Sequence, residues 1–172
     1  DLRLHDNPLL TSASVEMDEL ICLYCYPSMT PYLHHFAQEA SFGRAKLQFL
    51  DSSLSELNQS LNHLGQRLWA VELTPDQAIK YAVNRFGVTH IYADAFPGSD
   101  EQQALDRAVE GASHVKIKQQ AIRTLLREEQ LPFDLRNLPT TFTQFRKHAA
   151  GLAIPQPHAS IRSLPPTPSC SH

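Results

Sequence analysis

"RLWAVELTPDQAIKYAVNRFGVTHIYAD" (Arg67 to Asp94) decides the fold, because it reads as strand, helix and strand in succession. "RLWAVEL" is a short apolar run of strand type, after which Thr74 and Pro75 give the cap and first-turn proline of a helix. Ala78, Ala82 and Phe86 recur at helical spacing toward a core, and Gly87 closes the helix as the residue suited to the left-handed position. "VTHIYAD" (Val88 to Asp94) is then a second apolar run. Strands that alternate with helices in this way argue for a parallel sheet rather than for hairpins.

The same alternation extends in both directions. Upstream, Asn7 and Pro8 cap a short helix through Leu9, Leu10 and Ala13, and "LICLYCY" (Leu20 to Tyr26) reads as a strand buried on both faces. Leu47, Leu50, Leu54, Leu57, Leu61 and Leu64 then line one face of a helix whose other face carries Ser52, Ser55, Asn58 and Asn62, with Gly65 as its end. Downstream, Pro97 and Gly98 make a turn, Ser99 and Gln102 a capping box for "DEQQALDRAVEGA", and "SHVKIK" (Ser113 to Lys118) a short fourth strand. The expected class is α/β, an open parallel Rossmann-like sheet with helices on both faces. "LPFDLRNLP" is a proline-punctuated loop, and "TTFTQFRKHAA" a helix capped by Thr140 or Thr141. Residues 1–150 form the domain, and residues 151–172, proline-rich, are expected to be a disordered tail or linker remnant.

Composition sets limits on function. Of 172 residues, 42% are hydrophobic and 19% charged, a globular balance, and a net charge of −3 gives no global basic field to attract nucleic acid. No apolar run reaches the roughly 18 residues of a membrane span and no signal-peptide pattern opens the chain, so a cytoplasmic location is expected. Cys22, Cys25 and Cys170 do not form a disulfide framework. "CLYC" has redox spacing but lies inside a strand, where residues three apart point to opposite faces, so buried thiols are expected. The histidines include no HxxxH or Cys/His ligand set, and no glycine motif for a dinucleotide or a P-loop is present. Asp94, Asp100 and Glu101 lie beyond the carboxyl end of a strand, where open parallel sheets bind ligands, although acids at a helix start also stabilise its dipole. Arg146 and Lys147, after Phe142 and Phe145, read as the solvated basic edge of an amphipathic helix.

Three stretches resemble the DNA photolyase and cryptochrome family, most closely its DASH-type branch. "DLRLHDNP" (Asp1 to Pro8) is similar to the signature that follows the family's first strand. "SFGRAKLQFLDSSLSELNQSLNHLG" resembles its long helix after strand two, and "LPFDLRNLPTTFTQFRK" resembles the stretch that ends the antenna domain. The resemblance implies a light-driven repair flavoprotein: reduced FAD in a helical C-terminal domain passes an electron to a pyrimidine dimer in DNA, and a reduced folate antenna feeds energy to the flavin. It implies strand order 3-2-1-4-5, with the first strand lying ahead of Asp1. Strands Leu20–Tyr26 and Val88–Asp94 would then lose their shared neighbour and expose two apolar edges, so that either the pairs close on one another in altered register or the chain is poorly stable and aggregates. By position Ser99 and Asp100 correspond to the family's antenna-binding amide and acid in one branch, and Phe96 to the acidic position of DASH-type members, where it could only stack. The FAD domain is not among these residues, so the chain is expected to retain no cofactor, to be inactive alone, and to have the helical domain, and damaged DNA through it, as partners. The alternatives are a stand-alone regulatory module that binds a nucleotide, a pterin or a protein, and an unrelated Rossmann-like nucleotide binder, which would need a phosphate-binding glycine turn.

Overall fold

Alternation of strand and helix is what the chain adopts. The structure is a computed structural model that describes residues 2–27, 38, 42–95, 98–110 and 114–169, with the side chains of Asp100 and Glu101 outside that set. The elements in order are α1 (Pro8–Glu16), β1 (Cys22–Cys25), α2 (Arg44–His63), β2 (Leu68–Val71), α3 (Pro75–Phe86), β3 (His90–Asp94), α4 (Ser99–Val109), β4 (Lys116–Gln120) and α5 (Phe142–Ala149). Two 3-10 turns, Glu128–Gln130 and Leu135–Asn137, punctuate the proline-rich loop.

Local chemistry sets most boundaries where the sequence put them. The Asn7 side chain accepts from Leu10 N–H at 3.1 Å, and Pro8 takes the first helical position of α1. Gln77 Oε1 accepts from Thr74 N–H at 3.2 Å at the start of α3, and Gly87, at φ 64°, ends that helix in the left-handed region. Thr141 caps α5 by accepting from Gln144 N–H at 3.3 Å. The capping box expected at Ser99 and Gln102 does not form, because the helix starts one residue earlier in phase: Gly98 is the N-cap and Ser99 the first helical residue. Gln102 instead reaches sideways, its amide donating to Asp106 Oδ1 at 2.9 Å and its carbonyl accepting from Gln119 Nε2 at 3.1 Å. The fourth strand runs Lys116–Gln120, two residues beyond the expected Lys118, and the expected start at Ser113 lies outside the described residues. So does the turn residue Pro97.

The four strands make two parallel ribbons. β1 pairs with β2, with Cys22 opposite Leu68, and β3 pairs with β4, with His90 opposite Lys116. β1 and β3 are not paired, so the two pairs do not close on one another in altered register. Between them runs an apolar slot of about 880 Å³, lined along the full length of both strands. Helices cover both faces. Tyr92 and Lys118 are cross-strand neighbours on one face and both bond Glu16 at the end of α1, whereas Gln119 on the opposite face bonds Gln102 of α4. α2 is tied to the other ribbon by Tyr26 Oη, which donates to Asp51 Oδ1 at 3.1 Å, and by Asn58 Oδ1, which accepts from Leu68 N–H at 2.8 Å.

The last segment departs from the expectation of a free tail. Residues 151–169 have no regular structure beyond a turn, as their prolines dictate, but they lie against the body. Leu164 is buried and its N–H donates to Leu64 C=O at 3.0 Å; Leu20 N–H donates to Pro166 C=O at 2.9 Å. The fastener is Gln66, a buried polar side chain that composition could not reveal. Its Nε2 donates to Leu20 C=O at 2.7 Å and Pro165 C=O at 2.6 Å, while its Oε1 accepts from Thr167 Oγ1 at 2.9 Å. A segment too polar and too rich in proline to make its own core is held by backbone bonds that cost little side-chain entropy.

Candidate functional site

In an open parallel sheet the ligand end is the carboxyl end of the strands. Here that end of the β3–β4 ribbon is closed by a charged knot. The Asp94 side chain is 7% exposed, forms an ion pair with Arg123 and accepts from Ile122 N–H at 3.4 Å. Arg3 reaches the same place, its guanidinium donating to Ile122 C=O at 2.7 Å and lying 3.8 Å from Asp6. Asp94, one of three acids singled out in the sequence, thus ties the exit of β4 to the end of β3, and Arg3 ties the start of the chain to the same exit through Ile122. Its carboxylate is engaged by protein groups. Arg123 was invisible as its partner because the two are far apart in sequence and brought together only by the parallel register.

The other two acids stand differently. Asp100 and Glu101 fall in the first turn of α4, beyond the described side chains, and Phe96 lies outside the described residues altogether. Ser99 is exposed at the first helical position. Ser99 and Asp100 are the first two residues of α4, the helix that follows β3.

The remaining candidates resolve to structure rather than chemistry. Cys22 and Cys25 are free and partly buried, and burial pushes the Cys22 thiol up to about 11, opposite to the shift an activated thiol needs. No group of three or more potential metal-ligating side chains occurs among the described residues. No helix among them is long and apolar enough to cross a membrane. On α5, Phe145 packs edge-on to Phe133 at 5.9 Å and stacks on Phe142 at 6.4 Å, while Phe142 is 76% exposed and Arg146 and Lys147 remain at the surface. The apolar slot offers a flavin pyrophosphate no cradle: its lysine-free wall has a single guanidinium, Arg3, already bonded to Ile122 and Asp6. These residues do not fit FAD, and no chemical step is assigned to them through it.

Comparison with known proteins supplies what the geometry lacks. The chain is 54% identical, over 98% of its length, to cryptochrome DASH of Vibrio parahaemolyticus and 31% identical, over 96%, to cryptochrome DASH of Idiomarina loihiensis. It spans only 38% and 37% of those two proteins. The fold superposes on a solved cryptochrome from Synechocystis with a TM-score of 0.88 at 26% identity, covering 100% of this chain and 36% of that one. An archaeal photolyase from Sulfolobus tokodaii, solved with two FAD molecules, matches at a TM-score of 0.65 and 25% identity over 95% of this chain and 36% of its own. The pattern of the DNA photolyase family matches residues 1–166, nearly from end to end, and the chain belongs to that family.

Proposed function

We propose that this chain serves as the α/β antenna domain of a DASH-type cryptochrome or photolyase whose whole activity is the light-driven, FAD-dependent repair of pyrimidine dimers in DNA. The observation that carries this is the match to cryptochrome DASH relatives along almost the whole chain, at a share of less than two fifths of their length. The photochemistry belongs to the flavin, and the part of the protein that holds it lies in residues other than these. What these residues contribute is a platform. The exposed Phe142 and the basic edge of α5 are available to a helical partner domain, and Ser99 and Asp100 lie in sequence just after β3. The cell location that goes with this reading is the cytoplasm.

In this reading Asp100 accepts a hydrogen bond from a reduced folate antenna, Ser99 adds a second polar contact, and Phe96 stacks on the pterin. Part of the pocket wall comes from the helical domain, so the isolated chain binds the folate weakly. Fluorescence titration with a reduced folate should show weak binding that drops severalfold in Asp100→Ala; unchanged affinity in that variant removes Asp100 from the site. Purified alone, the chain should carry no flavin absorbance and leave thymine dimers intact under blue light. Light-dependent loss of dimers from the purified chain would overturn the assignment of catalysis to another domain.

A further inference from the structure

A second, smaller cleft of about 360 Å³ lies at the end of α2. It is lined by Leu4 and His5 ahead of α1, by Ser60 and His63 of α2, and by Ser160 and Ile161 of the segment after α5. Three stretches of chain therefore meet there, and backbone groups beside the cleft hold them together. Leu164 N–H donates to Leu64 C=O at 3.0 Å, and His158 N–H donates to Asp6 Oδ1 at 2.9 Å. The imidazoles and hydroxyls of the cleft take no part in those two bonds.

The polar side chains of the cleft are two imidazoles and two hydroxyls. Ser60 and His63 are three residues apart on α2 and share a face. His63 Nδ1–H donates to Gln59 C=O at 2.8 Å, and because a carbonyl only accepts, the hydrogen of the neutral ring is on Nδ1. Nε2 then carries a lone pair, which is the tautomer of a metal-bound histidine whose other nitrogen is held by a backbone carbonyl. His5 brings a second imidazole from another segment, and both residues are exposed, so their rings can turn toward a common ion.

Electrostatics selects the class of ligand. The cleft is at the C-terminal end of α2, where the helix dipole leaves partial negative charge that repels anions and attracts cations. Among the described residues no carboxylate lines it, which disfavours Mg²⁺ and Ca²⁺. Two imidazoles suit a borderline ion, Cu²⁺ ahead of Zn²⁺. With no third metal-ligating side chain grouped with them among the described residues, water completes the shell and the site is open and exchangeable.

We propose that His5 and His63 form a two-imidazole site for a divalent transition-metal ion, with the Ser60 and Ser160 hydroxyls holding its water ligands, and that the bound ion fastens the segment after α5 to α2. The inference rests on this cleft and does not depend on the antenna reading.

The test uses the 172-residue chain, with Cu²⁺ as the probe and amide NMR as the readout. The signals of His5, Ser60, His63 and Ser160 should broaden together at one ion concentration. Affinity, read from the Ser60 signal, should fall at least about tenfold in His5→Ala and equally in His63→Ala. His148 is the control, since its Nδ1–H donates to Gln144 C=O at 2.7 Å and it presents the same tautomer outside the cleft. His148→Ala should leave the affinity unchanged. Because His5 and His63 are exposed, their variants should keep the parent's circular dichroism. Zn²⁺ should slow proteolysis of residues 151–169 severalfold in the parent chain and not in His63→Ala. Broadening at only one of the two histidines, or unchanged affinity in His5→Ala, would overturn the shared site. Cleavage indifferent to Zn²⁺ would overturn the fastening.

Discussion

At the scale of single residues, the side chains that matter most are those with several partners, and Gln66 leads them. It is 3% exposed and joins three parts of the chain that are distant in sequence: the entry to β1, the start of β2 and the segment after Leu164. Replacing it with alanine leaves two backbone carbonyls and the Thr167 hydroxyl without their partner in a place where water enters poorly. Gln66→Ala should therefore lose about 2 kcal/mol of stability, measured by urea unfolding. Its more specific effect should be on residues 151–169, which should become several times more sensitive to a nonspecific protease under native conditions. Unchanged cleavage would mean that Leu164, not Gln66, holds the segment. Nothing in the sequence announces this role. A glutamine beside a helix-ending glycine reads as a surface residue, and only the arrival of Pro165 from the far end of the chain makes its amide a crosslink.

At the scale of elements, the helix starts and stops were legible wherever one residue alone determines them, as with the Asn7 cap and the left-handed Gly87. They were not legible where two choices compete, which is why Gly98 rather than Ser99 caps α4. Side-chain links between elements depend on register and escaped the sequence entirely. The clearest is the clasp of Glu16 on α1 with Tyr92 on β3 and Lys118 on β4, in which Tyr92 Oη donates at 2.7 Å and Lys118 forms an ion pair with the carboxylate. Those bonds, from Lys118 first and Tyr92 second, hold the Glu16 carboxyl below its ordinary range, while burial first and Glu16 second push the Tyr92 phenol up to about 12. A lowered folded-state value means that the clasp contributes its full stabilisation above the unfolded carboxyl value of about 4.3 and loses it as pH falls through the folded value. The stability of the parent chain should thus fall more steeply than that of Glu16→Gln between about pH 5 and pH 3. The difference should be small, because both partners are more than two fifths exposed and solvent screens them. Parallel slopes in urea titrations across that range would show that the clasp has no energetic weight.

At the scale of the whole molecule, the α/β class and the order of elements follow from strand and helix alternation, whereas the separation of the sheet into two ribbons is seen only in the structure. The packed course of residues 151–169 does not follow from the alternation either, since it depends on distant carbonyls meeting one amide. The chain exposes 12133 Å², against roughly 8,500 Å² for a compact monomer of the same mass. Measured from the unfolded chain, it buries about 57% of its surface where a compact chain near this length buries about 68–70%, a fraction more typical of a domain of some 60 residues. Since the denaturant slope scales with the surface exposed on unfolding, the urea m-value should be about four fifths of that for compact monomers of equal length. The apolar edges of β1 and β3 add a second effect, a tendency to pair with other chains, so the unfolding midpoint should rise with protein concentration. Circular dichroism in urea at two concentrations a hundredfold apart, with sedimentation velocity beside it, measures both. A full-sized m-value together with a concentration-independent midpoint would mean that in solution the two ribbons close on each other, and that the slot between Leu23 and Tyr92 is not open to any strand.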